Sequence, residues 1–132
     1  MRSFLFFISL CFLFLSSCEP KKPSSILLTS EEMKELILLD SVQLIDVRSV
    51  EAFREGHLKG AQNLIYDEDF IEKINQLDKT KPVAVYCRTG RRSEKCSKIL
   101  KKAGFEQIYQ LKDGLSQWKY KDELIIDTLS QY

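Results

Sequence analysis

Histidine is almost absent: His57 is the only one in 132 residues. Four cysteines are present, but no two of them, and no Cys/His pair, have the spacing of zinc ligands, so no metal site is expected. No redox CxxC and no phosphate-cradling GxxxxGK occurs. Net charge is nearly absent too, at +1 from 20 basic and 19 acidic residues, which removes the whole-protein field that a nucleic-acid binder needs. There are no internal repeats, and the length suits one domain, which excludes a large multidomain enzyme. The tetrapeptide Lys121–Leu124 spells an endoplasmic-reticulum retention signal but is internal, where it cannot act as one.

The longest apolar run, Phe4–Leu15, is also short. Twelve residues fall below the roughly 20 that a helix needs to span the hydrocarbon core. With Arg2 before it, the run fits the h-region of a secretory signal peptide. It ends in Leu15-Ser16-Ser17-Cys18, which resembles the lipobox of bacterial lipoproteins. The resemblance implies a signal peptide over 1–17 and an acylated Cys18 at the mature N-terminus. A tether over 18–25 would follow, and the domain would be held on a membrane of the bacterial envelope, outside the cytoplasm. Removing residues 1–17 takes away Arg2 and no acid, so the mature chain is charge-balanced.

From Ile26 onward strands and helices alternate. Ile26–Leu28, Val42–Val47, Asn63–Tyr66, Val83–Tyr86 and Gln107–Leu111 have strand composition. Thr29 and Glu32 have the spacing of a capping box, opening a helix whose apolar face includes Met33, Leu36, Ile37, Leu38 and Leu39. Val50–Glu55 reads as a short helix stopped by Gly56. Phe70, Ile71, Ile74 and Leu77 mark another. Arg92–Ala103 is periodic, with Cys96, Ile99, Leu100 and Ala103 on one face and Gly104 as its stop. Gly114–Tyr120 reads as a last short helix. Alternation of this kind implies an α/β domain with a mostly parallel sheet covered on both faces.

The chemistry concentrates where the Val83–Tyr86 strand ends: Cys87-Arg88-Thr89-Gly90-Arg91-Arg92-Ser93. Ligands on such sheets bind at the carboxyl ends of strands. A helix N-terminus, a glycine that lets successive N–H groups converge, and three arginines all favour an anion there. A cysteine in that field is expected as a thiolate, hence a nucleophile. Neither a histidine nor a carboxylate lies in the loop, so acyl transfer lacks its base and acid. Sulfur transfer needs neither. Cys87 is therefore expected to carry sulfur, with Arg88, Thr89, Gly90, Arg91 and Arg92 binding the anionic donor.

These residues are similar to the rhodanese family. Cys87–Arg92 matches its six-residue loop Cys-Arg-X-Gly-X-Arg, Leu44–Arg48 its Asp-Val-Arg strand end, and Glu51–Leu64 its Gly-His segment. Gly104–Leu111, Gly114-Leu115 and Trp118 match its last strand and helix. The resemblance implies a rhodanese-like fold over 26–120, a five-stranded parallel sheet flanked by helices, followed by an extension over 121–132. It implies a sulfurtransferase that moves sulfane sulfur from an anion such as thiosulfate to a thiol or cyanide-like acceptor through a Cys87 persulfide. No cofactor is implied, and a monomer is expected. His57 is expected to be a hydrogen-bonded scaffold residue, and Cys96, on the apolar face of its helix, is read either as core packing or as a resolving or disulfide partner for Cys87. Asp46 and Arg48 are read either as a structural ion pair or, for Arg48, as a donor-binding group.

Two departures stand out. Asp113-Gly114 replaces a Gly-Gly pair, which Asp tolerates because it enters the left-handed region. The usual Gly-Pro-Val ending is missing. Two rivals remain. Phosphatases and arsenate reductases of related fold have one more residue between Cys and Arg, to wrap a tetrahedral oxyanion. A membrane-tethered sulfane-sulfur carrier, or a redox- or metalloid-sensing module, would keep Cys87 but turn over poorly.

Overall fold

The computed structural model describes residues 24–128. The expected signal peptide, Cys18, the start of the expected tether and residues 129–132 of the expected extension lie outside them. Five parallel strands form one sheet: β1 (Ser24–Leu28), β2 (Gln43–Asp46), β3 (Gln62–Asn63), β4 (Val83–Tyr86) and β5 (Gln107–Leu111), in the order β1-β5-β4-β2-β3. The central strand β4 pairs with β2 from Gln43↔Val83 to Asp46↔Tyr86 and with β5 from Val83↔Ile108 to Val85↔Gln110. β1 pairs with β5 from Ser24↔Gln107 onward, so the sheet takes in two residues expected to belong to the tether.

Strand alternation sorts the side chains into two cores. Ile45, Val47, Val83, Val85 and Ile108 face one way. They pack with Phe70 and Ile74 of α3 (Phe70–Ile74) and with Cys96 and Leu100 of α4 (Arg91–Lys102). Leu44, Ala84, Tyr86 and Leu111 face the other way. They pack with Met33 of α1 (Ser30–Ile37) and with Leu58, Leu115 and Trp118. A sheet buried on both sides explains why VAVY is uninterrupted by polar residues. The capping box forms as expected: Glu32 N–H donates to Thr29 Oγ1 at 3.3 Å and Thr29 N–H to Glu32 Oε2 at 2.8 Å.

Several boundaries differ from the sequence reading. α1 ends at Ile37, and Leu38 and Leu39 are 75% and 55% exposed instead of extending its apolar face. α3 stops at Ile74, before Leu77. The Asn63–Tyr66 strand is in fact Gln62–Asn63, because beyond Asn63 the N–H groups of Leu64 and Tyr66 reach carbonyls of Asp46 and Val47 in an irregular path. The Gly114–Tyr120 helix is a single 3₁₀ turn, Leu115–Gln117.

The segment after Trp118 is built into the domain. A 3₁₀ turn at Lys121–Glu123 is followed by an antiparallel bridge between Ile125 and His57, with N···O distances of 3.0 and 2.8 Å. Lys34 reaches Glu123 at 2.6 Å. Among the described residues no helix is long and apolar enough to cross a membrane.

Candidate active site

Cys87 follows β4 directly, at the carboxyl edge of the sheet. The loop after it turns at Gly90, whose φ of 93° is costly for any residue with a Cβ, and α4 begins at Arg91. The turn brings donors back onto the sulfur. Gly90 N–H lies 3.1 Å from Cys87 Sγ, Ser93 N–H 3.5 Å and Ser93 Oγ 3.6 Å. Burial alone would push the Cys87 thiol up. The hydrogen bonds from Ser93, through both its N–H and its hydroxyl, and those from the N–H groups of Thr89 and Gly90 together outweigh it. The thiol is held below its ordinary range.

Here the structure narrows the cause of the lowered thiol. The helix N-terminus, the loop N–H groups and the arginines were all expected to lower it; the N–H groups do so, with Ser93, while no arginine contributes. Ser93 is fully buried, and its hydroxyl sits 3.1 Å from Gly90 O. With a thiol, Sγ–H donates to Ser93 Oγ and the hydroxyl donates to Gly90 O. With a thiolate, the hydroxyl rotates onto the sulfur. Sequence reasoning passed over Ser93, although its place three residues after Gly90, in the first turn of α4, was visible.

The arginines are exposed and divide between two faces. Arg88 and Arg92 line a cleft of about 510 Å³ together with Arg48, Gly56, Leu115 and Lys121. Arg91 lines a separate cleft beside Glu94 and Lys112. Lys121 and Leu124 come from the extension, so part of the wall was invisible from the family pattern. Thr89 borders the clefts on the far side of the loop.

Arg48 and Asp46 form the buried ion pair. Arg48 Nη2 donates to Asp46 Oδ2 at 2.7 Å and to Gly56 O at 2.6 Å, and Nε bridges both carboxylate oxygens at 3.0 and 3.1 Å. Burial works against the Arg48 charge, and the hydrogen bonds and charge of Asp46 more than offset it. Arg48 lines the cleft, but its donors are largely committed to the scaffold. His57 is scaffold as well: Nδ1 lies 2.9 Å from Phe53 O and its ring stacks on Phe53 at 3.7 Å. Cys96 is a free thiol with no surface exposure. Burial, reinforced by the nearby Cys87, pushes it up to about 12, so it behaves as a packed apolar group.

The loop is braced from outside the strand–helix unit. Leu115 N–H donates to Cys87 O and Ser116 N–H to Arg88 O, each at 2.9 Å. This approach depends on Gly114. A Cβ there would lie 2.4 Å from the carbonyl carbon and oxygen of Arg88. The preceding Asp113 takes φ 60°, as its side chain allows.

Known proteins are similar to this chain in sequence and fold. Thiosulfate sulfurtransferase GlpE of Shewanella oneidensis is 33% identical over 91 residues, 69% of this chain and 89% of that protein. A tRNA uridine(34) hydroxylase of Cytophaga hutchinsonii is 36% identical over 108 residues, 79% of this chain, but the match covers only 35% of the larger protein. The crystal structure of a rhodanese-like domain protein from Staphylococcus aureus superposes with a TM-score of 0.66 at 26% identity, over 76% of this chain and 96% of that one. The family model described as a rhodanese-like domain matches residues 29–121. With that span and a parallel five-stranded sheet that matches such a structure, the chain belongs to the rhodanese family.

Proposed function

We propose that the protein is a sulfurtransferase that takes sulfane sulfur from an anionic donor such as thiosulfate and passes it to a thiol or cyanide-like acceptor. The observation that carries this reading is the convergence of the Gly90 and Ser93 N–H groups and the Ser93 hydroxyl on Cys87 Sγ. In the first step the Cys87 thiolate attacks the outer sulfur of thiosulfate. A Cys87 Sγ–S bond forms, the S–S bond of thiosulfate breaks, and its electron pair leaves with sulfite. The persulfide bears a negative charge that the loop N–H groups stabilise as they did the thiolate. In the second step the acceptor attacks the terminal sulfur, and the Sγ–S electron pair returns to Cys87. With an acceptor that arrives as an anion, cyanide ion or a thiolate, no proton has to move in either step, which suits a site without an acid or base.

Arg88 and Arg92 hold the sulfite end of the donor from the cleft, and Arg48 braces the floor. Each exposed arginine then supplies a charge-assisted contact of about 1.5–3 kcal/mol, so Arg88→Ala and Arg92→Ala should each lower kcat/KM for thiosulfate roughly ten- to hundred-fold. Arg91→Ala should change it less than about threefold, because Arg91 faces the other cleft. Steady-state thiocyanate formation from thiosulfate and cyanide reads all three. Equal losses for Arg91→Ala and Arg92→Ala would reject this division of roles.

We also propose that Cys18 is acylated and that the domain works outside the cytoplasm on an envelope membrane. The support is the Leu15–Cys18 lipobox after its h-region. More than one acyl chain anchors stably, where one is marginal. Cys18→Ala should leave the protein uncleaved or released, on fractionation and N-terminal mass analysis. Wild-type protein found soluble, with an unmodified terminus elsewhere, would overturn the anchor.

A further inference from the structure

The parallel sheet has two unlike ends. Cys87 lies at the carboxyl end. The amino end holds Ser24, where β1 begins at the sheet edge, and the turns that lead into the other strands. Leu38 and Leu39, just after α1, are consecutive leucines that are 75% and 55% exposed. Val42 N–H closes their turn onto Leu39 O at 3.3 Å. The next residue, Gln43, pins the neighbouring turn through both ends of its amide, with Nε2 on Asp78 O at 2.8 Å and Asp78 N–H on Oε1 at 2.7 Å. That turn brings Lys79 beside Gly104, at the foot of α4. Ser24 itself pairs with Gln107, just past the same foot.

This end carries five exposed lysines, Lys59, Lys79, Lys81, Lys101 and Lys102, against four exposed acids, Glu35, Asp40, Asp78 and Glu106. Asp78 is turned onto its own loop, accepting from Thr80 N–H at 2.9 Å and from the Thr80 hydroxyl at 2.6 Å. None of the five lysines has an ion-pair partner among the described residues.

We propose that this end docks on an anionic lipid bilayer, with Leu38 and Leu39 entering the headgroup layer and the lysines meeting lipid phosphates. The inference rests on the proposed acylation of Cys18. Five residues separate Cys18 from Ser24, six steps with a reach of at most about 22 Å when fully extended. That is comparable with the ~13 Å radius of gyration of a domain this size. The amino end is thus held close to the bilayer, and exposed apolar residues on an end that also presents unpaired lysines are what an anionic interface accepts. The docked pose turns Cys87 away from the membrane, where soluble anionic donors reach it.

The test uses the full-length acylated protein, reconstituted in vesicles of phosphatidylethanolamine and phosphatidylglycerol that contain a nitroxide-bearing lipid. A fluorophore is placed on Leu38→Cys or, at the opposite end, on Thr89→Cys. Both are made in a Cys87→Ser background so that the reactive thiol is not labelled. Quenching at position 38 should exceed that at 89 by about threefold or more, and it should fall when phosphatidylcholine replaces phosphatidylglycerol. Equal or reversed quenching would overturn the docked pose. So would a label at 38 shielded without lipid quenching, which would mean that a second copy covers it. An unmodified Cys18 would overturn the docking and the anchor together. Thiocyanate formation by the wild-type protein reads the sulfur chemistry separately.

Discussion

Cys87→Ser should abolish sulfur transfer while leaving the fold in place. The substitution exchanges one small buried atom for another at a position that is 1% exposed, so the packing loss is slight and the thermal midpoint should hardly change. The chemistry, in contrast, has no substitute. A hydroxyl stays protonated at neutral pH, even where N–H groups and Ser93 depress a thiol, and oxygen forms no persulfide. Cys96 cannot take over, because its thiol is fully buried and pushed up to about 12. Thiocyanate formation should drop to the uncatalysed background. Residual Cys87-independent turnover would place the nucleophile elsewhere.

Gly114→Ala should come close to that loss without touching any reacting atom. Gly114 has φ 68° and ψ −171°, a region that costs other residues about 1–3 kcal/mol, and its Cβ would overlap the Arg88 carbonyl. Since the obstruction is backbone, the 3₁₀ turn and the Cys87 loop must separate. That loosens the bonds from Leu115 and Ser116 to the carbonyls of Cys87 and Arg88. A displacement on the order of 1 Å at a reacting centre costs around a hundred-fold, so kcat/KM should fall by about that factor. The thermal midpoint should drop by about 10 °C or more. Melting by circular dichroism alongside turnover checks both, and wild-type values for each would show that the brace is dispensable.

What sequence reasoning could and could not reach follows from where the determining contacts lie. Strand β4 and helix α4 were readable because local patterns settle them: an unbroken apolar run, then a helical period closed by Gly104. The α1 cap was readable because Thr29 and Glu32 satisfy each other within one turn. Cys87 itself was readable as the residue between strand and helix. The converging N–H groups that lower its thiol were readable from Gly90 and the helix start, but the part played by Ser93 was not, and the three arginines that dominate the loop's composition reach solvent instead of the sulfur. Ser93 looks like any residue in the first turn of a helix until the fold aims its hydroxyl. Leu38 and Leu39 continue the apolar character of α1, yet the helix has already ended at Ile37 and carries them past the core edge. The bridge between His57 and Ile125 joins residues far apart in the chain and depends on backbone direction, which side-chain identity leaves open.

The central claim is that Cys87 is an activated carrier of sulfane sulfur, and intact-protein mass spectrometry after brief treatment with thiosulfate at neutral pH tests it most directly. The expected result is the gain of one sulfur atom on the peptide containing Cys87, removed by cyanide and absent from Cys87→Ser. Protein that stays at its untreated mass, or that gains sulfur on Cys96 instead, would contradict the account.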